Sequence, residues 1–481
     1  MSMSSPATPT ATFARRSSRG VLLGFSGWRL AALGAAGLLF LPFALSNELL
    51  LGVAAACPLV AAAFVRVAGL PATDWTPIMS VWVVRRLRGQ TRYRAAVQRP
   101  RPAGTLALPG DAASLRMVVD TETGTCMVHD PYRRTLAATL RVTHPAYVLL
   151  APDEKSRRVS MWGRAIASLQ QGASCAGLQV LEQTLPDTGS AITDYYLEHG
   201  AKIGGWAQEQ YERLLQTAST TSSTHRTTLT LSLDLSGASG QVKAHGGGLT
   251  GAVAVLRDEM RAMEYSLRAA ELEIAGCWLG EAELAGMVRA AFDPAVGGAA
   301  PQGGPAGNLE HAGPLGMDEM WDRIHHDSGW SRVLWISEWP RTEAPAHFLH
   351  RLVFARGVRK TLCLSVRPKN NDEALRAIRK EQTDIEADQR QKRRIGQLQT
   401  EAERREWRDV QARESALVSG HADVDFTGWV VVTAATETQL EIATKQIDRA
   451  ASHAGCETRV LFGCQAQGFI AAALPVGRFT R

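Results

Sequence analysis

At 481 residues the chain has room for two or three domains, and 45% hydrophobic with 21% charged residues excludes a disordered polymer. The net charge of +6 is modest. Much of the excess lies in arginines flanking an apolar region, so it points to an anionic lipid surface before it points to nucleic acid. Seven cysteines are scattered without a Cys-x-x-Cys, which argues against a zinc ribbon or a disulfide framework and for reduced thiols in a cytoplasmic body.

Residues 1–20 begin with a Ser/Thr/Pro/Ala-rich tract and read as disordered. The stretch 21–67 holds two apolar runs, Leu30–Leu45 and Leu49–Val65, divided by Ser46-Asn47-Glu48. Each run has about 16–17 residues, near the lower end of the roughly 17–25 that a membrane-spanning helix needs. Val21–Phe25 and Trp28 can extend the first run, and Arg29 near a helix end can snorkel to the headgroups. The reading is a two-helix transmembrane hairpin.

Arg15, Arg16, Arg19 and Arg29 precede the first run. Arg66, Arg85, Arg86, Arg88, Arg92, Arg94, Arg99 and Arg101 follow the second. Positive charge on both flanks predicts a multi-pass protein of the inner (plasma) membrane with both termini cytoplasmic and the turn outside. Two readings compete. The first run could be a signal peptide, with Arg15-Arg16 as a twin-arginine signal, or the two runs could be a buried hairpin of a soluble protein.

Residues 70–104 read as a basic amphipathic juxtamembrane helix and linker. Asp74 is expected to cap a helix over about 76–89 that lies on the inner leaflet, with Trp75 and Trp82 at headgroup level and Arg85, Arg86 and Arg88 toward lipid phosphate. Pro100, Pro102 and Gly104 make the linker.

From 105 to 292 the pattern is that of a first cytoplasmic α+β domain. Leu115–Asp120, Cys126–Asp130, Thr135–Val142 and Tyr147–Leu150 read as strands, 151–173 as a helix and Leu178–Gln183 as a strand. Thr193–Thr217 reads as a second long helix. A Ser/Thr/His tract (218–228) then leads into a strand at Thr230–Leu235. Helices follow over about 250–274 and Glu281–Phe292.

Residues 293–316 are Gly- and Pro-rich and read as a flexible linker. From 317 to 481 a second α+β domain is expected. Its strands are Ser331–Trp339, Lys360–Arg367, Phe426–Ala434 and Glu457–Gly463, with helices at Ala346–Ala355, Glu437–Gly455 and Gln465–Leu474. The charged stretch Asn371–Gly420, with sparse apolar positions, reads as two antiparallel helices forming an arm. The order β–helix–β–arm–β–helix–β suggests a ferredoxin-like layer. The fold class expected is therefore a membrane-anchored α+β protein with ferredoxin-like elements and a long helical arm.

Catalytic signatures are sparse. The dipeptide Gly-Lys does not occur, so a P-loop with its phosphate-binding lysine is excluded. His245-Gly246-Gly247-Gly248 has the look of an esterase oxyanion loop, but no Gly-x-Ser-x-Gly accompanies it and glycines also serve a tight turn. His325-His326-Asp327 could offer metal ligands, although adjacent helical residues point apart. Asp318, Glu319 and Asp322 read as an acidic first helical turn. No catalytic residue, metal site or cofactor is expected.

Several segments together resemble one family. They are Asp74-Trp75-x-Pro77 and Trp82-Val-Val-Arg85-Arg86-Leu-x-Gly89-Gln90-x-Arg92-Tyr93-Arg94, then Leu417-Val-x-Gly420-His421-Ala-Asp423-Val-x-Phe426-x-Gly428. Leu461-Phe-Gly463-x-Gln465-x-x-Gly468-Phe469 and Leu474-Pro475-x-Gly477-Arg478 complete the set. They are similar to actinobacterial membrane proteins of conjugative, type IV-like secretion loci. In these the hairpin resembles the small VirB-class inner-membrane subunit. The body resembles the non-catalytic amino-terminal region of the large VirB-class ATPase, with the sequence stopping at Arg481 where a motor domain would begin.

The resemblance implies a non-enzymatic scaffold that docks a separate P-loop conjugation ATPase and other secretion subunits at the lipid bilayer. Homo-oligomerisation is compatible with it, and nucleic acid is met only indirectly. A membrane subunit of a type VII apparatus and a membrane-tethered hydrolase using His245 are the alternatives. The arm at 371–420 and the last helix, Gln465–Leu474, are the expected docking surfaces.

Overall fold

The computed structural model describes residues 10–11, 13, 27–46, 48–67, 69–96, 98, 102–143, 147–171, 174–186, 196–200, 204–219, 223–296, 308–369, 371–394, 401–418 and 423–479. These form a mixed α+β protein with a large antiparallel sheet. They cluster into two compact units. The body takes in the described residues of 1–14, 92–461 and 465–481; the anchor unit takes in those of 15–91 with Phe462–Cys464.

The first strand, β1 (Thr10–Ala11), belongs to the body. The anchor unit opens with α1 (Gly27–Leu45) and α2 (Leu49–Phe64), which lie against each other with Gly52 facing Phe40 and Phe43. The polar break ends α1 locally, since the Ser46 hydroxyl donates to the Pro42 carbonyl at 2.6 Å. β2 (Arg66–Val67) pairs with β3 (Leu70–Pro71), and a 3-10 turn at Ala72–Asp74 enters α3 (Trp75–Leu87). The cap expected of Asp74 is not made. Its backbone is already helical (φ −77°, ψ −11°) because the 3-10 turn runs straight into α3.

The body begins with β4 (Arg92–Arg94), β5 (Arg116–Val119), β6 (Cys126–Asp130) and β7 (Thr135–Thr143). Then come α4 (Pro152–Gln171), β8 (Cys175–Pro186), α5 (Trp206–Ser219), β9 (Ser223–Asp234), α6 (Ser239–Ala244), α7 (Gly248–Ala269), β10 (Glu273–Trp278) and α8 (Glu281–Phe292). The chain continues through β11 (Gly316–Glu319), β12 (Ile324–His326), β13 (Gly329–Glu338), β14 (Ala344–Pro345), α9 (His350–Val353) and β15 (Arg359–Pro368). It closes with α10 (Asn371–Arg394), α11 (Glu401–Val418), β16 (Val424–Ala434), α12 (Glu437–His453), β17 (Glu457–Val460) and α13 (Gln465–Ala473).

Among the described residues thirteen strands join in one sheet, in the order β4-β11-β12-β13-β16-β15-β8-β9-β7-β6-β5, with β17 also on β13 and β10 also on β7. The same succession occurs twice along the chain. β7, β8, β9 and β10 stand in the order β10-β7-β9-β8, and β13, β15, β16 and β17 stand as β17-β13-β16-β15, every neighbouring pair antiparallel. In each half an insertion lies between the second and third strands, and a helix follows the fourth. The halves meet at β8 and β15, which pair antiparallel with Val180 opposite Leu364 and Leu181 opposite Cys363 near the middle of both strands. Like strand meets like strand about a local pseudo-two-fold.

Alternation along the strands sorts the core. One face carries two clusters side by side, Leu178, Leu229 and Leu231 under α7, and Leu362, Val430 and Val432 under α12. The other face carries a single cluster shared by α8 and α13, where Phe292 and Phe469 meet at 5.2 Å between ring centroids. Their burial from both halves makes the stretch 293–316 no boundary between compact units: strands from 105–292 and from 317–481 belong to one sheet.

Other expectations change in detail. Tyr147–Leu149 is a 3-10 turn, not a strand. The helix expected over Thr193–Thr217 is interrupted: residues 196–199 are helical, Gly204 and Gly205 then adopt φ of 74° and 103°, outside any right-handed helix, and Trp206–Ser219 form α5, with residues 193–195 and 201–203 outside the described residues. Residues 223–228 of the Ser/Thr/His tract are the start of β9, and the chain leaves the helix after Ala269 to form β10 at Glu273–Trp278. Asp318 and Glu319 lie on β11, and His325 and His326 on β12, so neither group is helical. The residues 395–400 and 419–422 of the expected arm lie outside the described residues, as do residues 1–9 and 14–26 of the expected disordered N-terminus and the run Val21–Phe25.

Candidate functional site

The residues read as membrane-flanking fall in the anchor unit. Among the described residues, Gly27–Leu45 is the helix long and apolar enough to cross a membrane, and Leu49–Phe64 is a shorter apolar helix. Only Ala36 of α1 is buried, and Leu38, Leu45 and Leu50 expose 74%, 82% and 88% of their surface. Contiguous apolar exposure on this scale calls for a lipid or protein cover. Arg29 is half-buried in the first turn of α1, and Arg66 is exposed on β2.

α3 divides its residues by face. Trp75, Ile78, Trp82 and Arg85 recur at helical spacing on the less exposed side, whereas Met79, Val83, Val84 and Leu87 face out. Trp75 is not a headgroup residue: it is buried, its indole N–H donates to the Val67 carbonyl at 3.0 Å, and its ring packs on Phe462 at 5.0 Å. Arg85 donates to the Gly463 carbonyl at 2.8 Å, so its guanidinium is held by protein. Arg86 stacks over the half-buried Trp82 ring at 5.0 Å, and Arg86 and Arg88 are exposed. The outward arginines are thus Arg86 and Arg88, beside an outward apolar stripe.

In the body, His245 has its Nδ1 at 2.9 Å from the Gln241 carbonyl and its Nε2 at 3.6 Å from Asp258. Gly246, Gly247 and Gly248 take φ of 91°, 73° and 61°, a left-handed turn between α6 and α7 that L side chains resist. That geometry accounts for three consecutive glycines. His326 is fully buried between the Phe292 carbonyl (2.6 Å) and the Ser331 hydroxyl (2.7 Å), and burial pulls its pKa down to about 4. Asp327 faces Arg289 at 2.5 Å. Among the described residues no group of three or more His, Cys, Asp or Glu side chains could hold a metal ion.

The residues carrying the resemblance have structural work in the body. Gln465 is fully buried; its side chain accepts from Val333 N (2.8 Å) and donates to the Leu461 carbonyl (2.6 Å). Arg478 is buried against Asp130 (3.0 Å) and Asp111 (2.9 Å). Asp423 holds Arg413 at 2.6 Å at the base of the arm.

The arm is two helices sharing a small core of Ile378, Ile385 and Val410, with Lys392–Glu403 (2.7 Å) across them. By contrast α13, expected as a docking surface, is buried at every position except the half-buried Gln467. Its run from Gly468 to Ala473 is apolar on every side, as a core helix is. One feature escaped the sequence reading: an open cavity of ≈ 420 Å³ lined by Thr184, Ser223, His225, His350, Phe354 and Arg356. No protein-family model and no curated protein sequence matches the chain.

Proposed function

We propose that this protein is a membrane-anchored scaffold subunit of a conjugative, type IV-like secretion system, docking a separate P-loop ATPase at the inner face of the membrane. The observation that carries the membrane part is α1, nineteen residues of apolar helix with Ala36 alone buried. α2 follows it within four residues, and α3 adds an outward stripe of Met79, Val83 and Leu87 next to Arg86 and Arg88. Such a helix suits the lipid interface, its cations among phosphates and its apolar side among acyl chains. In this reading both termini are cytoplasmic and the body is the docking platform.

The secretion part rests on the resemblance described above. Each half of the body reads as a ferredoxin-like unit, supported by the strand orders β10-β7-β9-β8 and β17-β13-β16-β15 with helices α7 and α12 crossing one face. The arm, α10 and α11, is the partner-facing element, because it is exposed, charged and held at its base by Arg413–Asp423. The protein's part is placement; hydrolysis of nucleotide belongs to the partner.

Purification of the full chain from membranes tests the reading. Co-recovery of a P-loop ATPase together with a DNA relaxase is expected. Recovery of small WxG-type secreted proteins instead would favour a type VII apparatus. Ester or nucleotide hydrolysis by the pure chain, abolished in His245→Ala, would replace the scaffold with the hydrolase. A mature protein lacking α1 and found outside the membrane would show that the first run is a leader.

A further inference from the structure

The first described residues of the chain are paired with the body. Thr10 and Ala11 form antiparallel bridges to Pro345 and Ala344, so β1 adds to the edge presented by β14. Phe13, two residues on, is half-buried among three rings: Trp339 at 5.4 Å, stacked at 19°, Phe348 at 5.2 Å, edge-on, and Phe426 at 5.8 Å. The receiving rings come from three separate places, the end of β13, the turn after β14 and the start of β16. Trp339 also meets Phe348 and Phe426 directly, at 6.2 and 5.1 Å. Gly428 makes room for this: a Cβ there would lie 2.8 Å from the Trp339 ring. Strand addition plus one aromatic side chain in a pocket is a peptide-recognition geometry.

We propose that Trp339, Phe348 and Phe426 form a docking socket for the chain's own N-terminal segment, and that this seat fixes the anchor as a pair of crossings. The second half of the proposal rests on the membrane reading above. The chain leaves the body after Phe13 and rejoins it at Arg92 in β4, which pairs with β11. The membrane is therefore crossed an even number of times between residues 13 and 92.

α3 supplies no crossing: its thirteen residues, with Arg85 and Arg86 among them, reach only about 20 Å, short of the roughly 30 Å hydrocarbon core. Among the described helices of the anchor unit the crossings fall to α1 and α2, and parity makes α2 cross whenever α1 does. At sixteen residues, α2 is about 24 Å long, a mismatch met by local thinning of the bilayer.

The full-length chain in its membrane provides the test. A photocrosslinking phenylalanine analogue at position 13 is expected to join, within one chain, the peptide holding Trp339–Phe348 or the one holding Phe426. Crosslinks to lipid, or between isotopically distinct copies, would overturn the socket. A labelled peptide of residues 8–16 is expected to bind Phe13→Ala chains and to be excluded at least tenfold from wild type; equal binding to both would overturn it.

For the crossings, an N-terminal tag and a C-terminal tag should be reached from the same face of sealed vesicles. In a Ser46→Cys variant, an impermeant maleimide should label the new thiol from the opposite face. Tags on opposite faces, or labelling of that thiol from the tagged face, would overturn the pair. A chain absent from the membrane fraction would instead defeat the membrane reading, while the crosslink at position 13 would still test the socket.

Discussion

The two halves of the body share a strand order but differ in what they insert into it. Between its second and third strands the first half carries α5, with Trp206, Leu214 and Tyr211 exposing 76%, 61% and 45% of their surface. The second half carries a charged two-helix arm with its own small core and an ion-paired base. The first crossovers differ as well, twenty residues of helix in α4 against four in α9. What is common is what builds the sheet and the shared cluster; what differs lies at the periphery. A repeated frame leaves its insertions free to diverge, since the frame's cores do not depend on them.

The strongest challenge to that view addresses the shared cluster. Phe292 and Phe469 come from opposite halves and are both almost fully buried. Phe292→Ala and Phe469→Ala are each expected to cost about 3–5 kcal/mol in chemical unfolding of the detergent-solubilised chain. If the halves form one cooperative body, the double variant departs from additivity by about 0.5 kcal/mol or more. Strict additivity with two separate transitions would split the body at its centre.

A second test uses protons. His326 hydrogen-bonds the Phe292 carbonyl, so it ties the end of the first half to the second. Burial lowers its pKa from 6.5 to about 4, so between those values the unfolded chain binds the extra proton and stability rises with pH. The contribution is complete above about pH 6.5, falls by about 1.4 kcal/mol per unit below it, and is lost by about pH 4, roughly 3 kcal/mol in all. Unfolding midpoints measured from pH 4 to 8 should show this slope, and His326→Gln should flatten it.

Smaller effects separate the insertions. Arg413→Ala removes contacts to Asp423 and Glu381 at the base of the arm, and about 1–2 kcal/mol of loss is expected, read as protease cleavage in the arm before the sheet. Trp206→Ala should change the unfolding free energy by less than about 0.5 kcal/mol, because its ring is mostly in solvent. A large loss there would mean that the first insertion is part of the frame after all.

Local signals carried far, and non-local ones were invisible. Glu281–Phe292 was legible to the residue because its apolar positions recur at helical spacing, and at its start the Glu283 carboxylate accepts the Gly280 N–H at 3.4 Å. The arm and α12 were legible for similar reasons. β9 was hidden because Ser223–Thr228 is polar, yet threonine is at home in a strand whose neighbours supply the burial. Pairing of β8 with β15 has no local signature at all, and the Gly/Pro-rich stretch between the halves read naturally as a boundary. Trp75 looked interfacial because tryptophan often is; only the fold reveals that Val67 takes its N–H. α13 looked exposed from its position, although its alanines and glycine are what a helix packed on every side requires.

The seam at β8 also bears on how the chain is made. β8 is twelve residues long, and its partner on one side lies nearly two hundred residues downstream in β15. Until a ribosome has delivered that later strand, the nascent chain holds a long open sheet edge, a template for mispairing with other chains. In the membrane reading the apolar helices emerge first, so the unfinished edge would wait beside the bilayer at the site of insertion. Tethering there keeps growing chains apart while the second half is still being translated.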